Sequence, residues 1–347
     1  MPTVKADTLR MLGTEILKAA GAPDDEAKLV AELLVEANLT GHDSHGVIRM
    51  LNYVKGMRMG AVRPGAKITI IRETSSTAVI DGGWGFGQVV AMKAMEVAIE
   101  KAKKCSISAV TVRRCHHVGR LNTYSEMALN YDMIGITMVN SNSYVAPFGG
   151  RTRQLGTNPM CFAIPAGEEG PFVLDMATAV WAQGKIMVKA ARGERLPEGV
   201  LLDIEGNPTT DATWYEKGGA ILPIGGLVGY KGFGLSLLVE LLAGALSEAG
   251  CSNSEEYQSR PFYGGNGVFM MAIDIRSFTD IDSFKRRADN LFKTIKSSPL
   301  AKGYIEILIP GEVERRRRER NLREGIFIED STWSKLLATA KELGVDV

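Results

Sequence analysis

Asp81-Gly-Gly-Trp-Gly-Phe-Gly87 stands between a strand pattern, Thr77 to Ile80, and a helical run, Gln88 to Lys103. Glycines in that setting invite comparison with the dinucleotide-binding turn of a Rossmann fold. Counted from Gly83, the G-x-G-x-x-G fingerprint needs glycine at position 88, where Gln88 stands. The next strand pattern, Ser108 to Val112, runs into Arg113-Arg114 and lacks the acidic residue that would hold a ribose. The turn is therefore read as structural, its glycines allowing close packing of helix on strand.

Outward from this turn the chain changes texture twice. Toward the N-terminus, Leu9, Leu12, Ile16 and Ala19 make a helical stripe, and Asp24 to Leu39 follow after Pro23. Toward the C-terminus come strand patterns at Gly135–Val139 and Met160–Ile164 and around Val173. A hairpin or long turn follows at Leu201–Thr210, then a long apolar helix opening at Tyr230. Helix returns at Phe284 to Ile295 and at Trp333 to Leu343, with one strand expected at Tyr304–Ile309. Strands in the middle and helices at both ends predict an α+β fold. Residues 1–65 and 313–347 form a helical domain in this reading, and 66–312 a nucleotide-binding α+β domain.

Composition excludes several classes. The chain has 347 residues, 41 Lys and Arg against 40 Asp and Glu, and a formal net charge of +1. Such a balance offers no general attraction to nucleic acid or anionic membrane. The basic block Arg315 to Arg318 is flanked by Glu312, Glu314 and Glu319, as on a solvated helix. Cys105, Cys115, Cys161 and Cys251 are scattered without zinc-type spacing, so no metal site and no disulfide framework is expected. No signal peptide pattern opens the chain, and a cytoplasmic protein is the expectation.

Chemistry concentrates in two places. Gly41-His-Asp-Ser-His-Gly-Val-Ile-Arg49 offers Asp43 or Ser44 as a helix cap; with Ser44 there, His45, Arg49 and Tyr53 share one helical face and Val47, Met50, Leu51 and Val54 the other. That places a proton carrier, a carboxylate-binding fork and a phenol beside a cleft, with Ser44, Arg49 and Tyr53 as substrate contacts. Cys115-His116-His117-Val-Gly-Arg120 is the other place, at the carboxyl end of a strand. Asp175 also sits at a strand end, where it bonds ribose hydroxyls or orients a histidine. Leu222 to Gly234, with Lys231, opens a helix whose N-terminus is a generic anion site, but no Ser or Thr follows the lysine as a Walker loop requires.

Eight segments together resemble the type-2 malate/L-lactate dehydrogenase family: Gly41 to Arg49, His117-Val-Gly119, Val145 to Gly150, Gly156 to Pro159, Asp175 to Thr178, Pro208 to Asp211, Tyr230 to Gly234 and Pro310 to Glu312. They follow the family's order across almost the whole chain. Ala37 to Gly46, the doubled His116-His117 and the Arg-Arg-Glu-Arg ending at Arg320 look most similar to its hydroxycarboxylate dehydrogenase B branch. The resemblance implies a homodimer that uses NAD or NADP on a non-Rossmann, mostly antiparallel sheet, with a 2-hydroxy or 2-oxo carboxylic acid as substrate. It places the cofactor at Ser141, Asp175, Met176, Ala177, Lys231, Gly232, Pro310, Gly311 and Glu312. Its catalytic histidine falls on the position of His45 in one branch and of His117 in another; the expected catalytic set is His45 as proton donor, His117 polarising the carbonyl or exchanging roles with it, Arg49 holding the carboxylate, and Asp175 orienting a histidine or the ribose. Reduction of a cyclic imino acid is the alternative within the family, and an inactive nucleotide-binding scaffold the alternative outside enzymology.

Overall fold

The computed structural model describes residues 2–259 and 265–346. Its centre is a seven-stranded sheet of Thr69–Glu73 (β1), Thr77–Asp81 (β2), Ile107–Cys115 (β3), Met133–Val139 (β4), Met160–Ile164 (β5), Phe172–Met176 (β6) and Asn266–Asp274 (β7). In space the order is β1-β2-β3-β7-β4-β5-β6. Only β2 and β3 pair in parallel, joined by the helix Gly87–Cys105, so the mostly antiparallel α+β sheet expected from the resemblance is present.

The turn at residues 81–87 takes the structural role expected of it. A Cβ on Gly87 would lie 2.2 Å from the carbonyl oxygen of His116 and 2.3 Å from that of His117. The helix therefore starts in direct contact with the backbone of the histidine pair, and glycine alone permits that approach. Its buried face, from Val90 through Ala102, packs on Val110, Val112, Val268 and Met270 of the sheet.

A second apolar cluster joins the termini. Leu9, Ile16 and Leu17 pack with Val30, Leu34 and Tyr53, and with Ile326, Leu336 and Ala340 from the chain's end. Near the other end of the sheet, Leu201–Leu202, Pro208–Thr209 and Ala220–Ile221 form a small antiparallel sheet, with the expected hairpin inside it.

Two features depart from the sequence expectation. Tyr304–Ile309 is not a strand: it leaves Tyr304 71% and Ile305 90% exposed, and its end meets the edge of the sheet through one bond, Val173 N–H to the Pro310 carbonyl at 3.0 Å. The missing strand is β7, which has neighbours on both sides. Val268 to Ala272 is an unbroken apolar run without alternation, and such a run does not distinguish a doubly covered strand from a helix.

Candidate active site

The segment bearing His45 does not form one helix. Asp43–His45 is a single 3-10 turn, and the helix begins only at Ile48 and runs to Arg58. Asn38, from the preceding helix, dictates this break. Its Oδ1 accepts the Val47 N–H at 2.8 Å and its Nδ2 donates to Asp43 at 2.6 Å. Gly46 lies against it so closely that a Cβ would fall 2.2 Å from Asn38 Oδ1. Ser44 is consequently not the helix cap. Its hydroxyl lies 3.0 Å from His45 Nδ1, and its carbonyl accepts from Arg49 Nε at 2.6 Å.

The expected residues still converge, through tertiary contact instead of helical spacing. The rings of His45 and His117 stack with centroids 5.7 Å apart and planes at 19°. Tyr53 is a correction: it is 1% exposed, and its hydroxyl lies 2.8 Å from His117 Nδ1 while Gln88 Nε2 donates to it at 2.6 Å. It holds a histidine and does not face the cleft. Gln88, the residue that spoils the glycine fingerprint, is thus the outer support of His117.

Electrostatically the pair is set for neutral imidazoles. Burial first, and then the Arg49 charge, hold His45 down to about 3 and push His117 well below the ordinary range. Burial pushes the Tyr53 phenol up to about 12. Among the described residues Arg49 has no carboxylate partner, and its terminal nitrogens carry no protein hydrogen bond.

A cavity of about 760 Å³ is lined among others by His42, Arg120, Asn122, Asp175, Pro310 and Gly311. Asp175 Oδ2 accepts the N–H groups of Leu121 (3.1 Å) and Asn122 (2.9 Å), which open the helix Asn122–Met127. Burial raises its pKa, opposed by that helix start, His42 and Arg120. No hydrogen bond joins Asp175 to His45 or His117 among the described residues. Its expected role of orienting a histidine is therefore replaced by a place in the cavity wall.

The other expected cofactor residues divide. Pro310 and Gly311 face the cavity, whereas Glu312 is occupied with the Ile309 N–H (2.8 Å) and Lys296 Nζ (2.6 Å). Met176 and Ala177 pack into apolar clusters beyond β6. Ser141 lies at the end of β4, with its N–H on Asn158 Oδ1 at 3.2 Å. Lys231 is exposed at the start of the helix Tyr230–Val239, and a Cβ on Gly232 would meet the Ile224 carbonyl at 2.3 Å. Arg120, which ends the Cys115–Arg120 stretch, and Asn122, which carries no motif of its own, also line the cavity.

Arg120 Nε and Asn122 Oδ1 are buried in the cavity wall without a hydrogen-bond partner among the described residues. An orphan donor beside an orphan acceptor suits a ligand rich in hydroxyl, amide and phosphate groups. The described residues contain no group of three or more His, Cys, Asp or Glu side chains able to hold a metal, and no described helix is long and apolar enough to cross a membrane.

Residues 4–337 match the family described as Malate/L-lactate dehydrogenase. The L-sulfolactate dehydrogenase of Methanocaldococcus jannaschii is 40% identical over 99% of this chain and 98% of its own. The solved structure of the sulfolactate dehydrogenase from that organism superposes with a TM-score of 0.92 at 38% identity, covering 99% of this chain and 98% of that one. Hydroxycarboxylate dehydrogenase B of Escherichia coli K12 is 32% identical over 98% of this chain and 94% of its own. A Δ1-piperideine-2-carboxylate reductase structure from Pseudomonas syringae has a TM-score of 0.87 at 28% identity, covering 98% of this chain and 100% of that one. By these matches along nearly its whole length, the chain belongs to the malate/L-lactate dehydrogenase family.

Proposed function

We propose that the stacked imidazoles and Arg49 convert a 2-oxo carboxylate to the 2-hydroxy acid and back, with NAD or NADP in the cavity lined by Asp175. The chain is a 2-hydroxy acid dehydrogenase by family and relatives. The observation that supports the site assignment is a guanidinium without a carboxylate partner beside two half-buried, stacked imidazoles. The Arg49 fork takes the substrate carboxylate by two parallel charge-assisted bonds, which a lysine does not reproduce. His45 then gives a proton to the developing alkoxide or takes it from the hydroxyl, and His117, held by Tyr53, polarises the carbonyl. The bound nicotinamide supplies the hydride in one direction and accepts it in the other. Asp175, Asn122 and Arg120 hold its polar groups, with Ser141, Met176, Ala177, Lys231, Gly232 and the Pro310–Glu312 turn as further contacts. The nucleotide domain, residues 66–312, is a non-Rossmann fold in this reading, and 1–65 with 313–347 the helical domain.

The test is a substrate panel. Absorbance loss of NADH and NADPH is followed with malate-like, lactate-like, sulfonated and aryl 2-oxo acids and one cyclic imine. Turnover of at least one 2-oxo acid is expected; cofactor binding without any turnover overturns the reading.

The homodimer implied by the resemblance is supported by an apolar surface. The helix from Tyr230 to Ala245 buries Ser236, Val239 and Ala243, yet leaves Leu237 and Leu238 each 40% and Leu241 61% exposed. A helix apolar on all sides is a covered helix, and a second copy of the chain is the occupant the family resemblance implies. Leu241→Asp is expected to halve the mass measured by light scattering, whereas an unaltered mass refutes this interface.

A further inference from the structure

The same helix carries a buried acid that the reaction does not use. Over Glu240–Ala245 it widens into a π-helix, with Leu246 N–H donating to the Leu241 carbonyl at 2.9 Å. Such insertions are rare and gather at functional sites. Here the widened turn sets Glu240, 5% exposed, beneath the loops that follow β4 and precede β5.

Its carboxyl oxygens face donors on every side. Asn158 Nδ2 donates at 2.8 Å, Ser252 N–H at 3.0 Å and Asn140 Nδ2 at 3.3 Å, and the Ser252 hydroxyl adds a short bond. The same partners hold Ser141. Asn158 Oδ1 accepts the Ser141 N–H, which fixes which way that amide points, and the Ser252 hydroxyl stands between the Ser141 carbonyl and Glu240, its one proton serving one acceptor at a time. Asn140 extends the web: its carbonyl accepts from Asn266 Nδ2 at 2.8 Å, and Asn266 Oδ1 accepts the N–H of Val118, next to His117, at 3.1 Å.

We propose that Glu240 is a positioning residue, an acceptor-only hub that fixes the Ser141 shelf for the cofactor. It rests on the reading of Ser141 as a cofactor contact. A carboxylate suits the place because it has no donor to set against the N–H groups that Asn158, Asn140, Ser252 and Gly156 point at it. Glu240→Gln keeps the volume but turns an amide NH₂ against Ser252 N–H and Asn140, or against Asn158.

The test is a fluorescence titration of the full chain with NADH and NADPH, scored on the tighter of the two. Glu240→Gln is expected to weaken binding about tenfold, the effect of one charged hydrogen-bond set, with the pH profile at saturating cofactor unchanged. A purely structural residue lowers the melting temperature and leaves the dissociation constant of the folded protein alone. If Glu240→Gln does not fold, Ser252→Ala decides, with a weakening of about threefold or more expected from one lost bridge. Affinity within about twofold of wild type in the folded variant overturns the proposal. Ser141→Asp separates the two layers: unaltered affinity there refutes the Ser141 contact itself. Weakened affinity in Ser141→Asp with none in Glu240→Gln refutes the hub alone.

Discussion

His45→Ala lowers turnover of the best 2-oxo acid by about 10²- to 10⁴-fold at saturating cofactor, the span of a positioned proton donor. The cofactor dissociation constant is expected to stay near wild type, because His45 lies with Arg49 and His117 and is not among the residues lining the cavity. Arg49→Lys keeps the charge and loses the fork. Its Nε is already committed to the Ser44 carbonyl, so the terminal nitrogens are presented in a fixed plane, and lysine has neither the plane nor the anchor. The expected loss is about 10- to 100-fold in kcat/KM, equivalent to about 1.5–3 kcal/mol for a hydrogen bond to a charged group. Steady-state kinetics over the panel of acids checks both. Near wild-type turnover of both variants on every accepted acid refutes the assignment. His117→Ala completes the set: a smaller loss than His45→Ala is expected, since Tyr53 and Gln88 hold His117 as a fixed donor or acceptor.

The site was legible in the sequence as a set of residues but not as a geometry. His45, Arg49 and Tyr53 stand at helical spacing, yet the break at Gly46 removes His45 from the helix. Asn38, buried in the preceding helix, causes that break, and nothing in the spacing of residues 41–53 reveals a side chain arriving from outside. Tyr53 reads as a cleft phenol for the same reason. Its burial depends on Gln88 and His117, which lie 35 and 64 residues further on.

The fold shows the same division. The 81–87 turn was legible because a close backbone approach is demanded of glycine at one residue, Gly87, whatever the distant sequence. Strand β7 was not, because its place at the centre of the sheet removes the polar alternation that marks a half-exposed strand. Glu240 is concealed for a related reason. It reads as the lone charge on an apolar helix, and only the π-helical widening and the loops from residues 140, 158 and 252 show why an acid belongs there.

The pH dependence follows from the two depressed histidines. In the free enzyme both imidazoles are neutral at physiological pH, since burial and then the Arg49 charge hold His45 down to about 3 and His117 well below its ordinary range. Oxidation of the hydroxy acid needs a neutral imidazole as base, and kcat/KM reports the free enzyme. The expected profile for oxidation therefore shows no acid limb near pH 6.5 and stays level from about pH 8 down to about pH 5. Reduction needs the protonated imidazole, so its kcat/KM is expected to fall about tenfold for each pH unit gained from about pH 5 to about pH 8. A carboxylate on Arg49 removes the second cause of the depression, so substrate binding raises the histidine toward its ordinary range. Arg49→Met mimics that neutralisation and should bring an acid limb of oxidation upward into the measurable range. Stability obeys the same sign. Because the folded pKa values lie below the unfolded one near 6.5, the unfolded chain takes up protons first as the pH falls. The contribution of these histidines is thus intact above about pH 6.5 and lost progressively below it, and His45→Ala should flatten the fall of melting temperature between about pH 7 and pH 5. An oxidation limb near pH 6.5 in the wild-type enzyme, with a melting temperature indifferent to His45 over that range, would show that the imidazoles are solvated and that the desolvated pair is not the site of proton transfer.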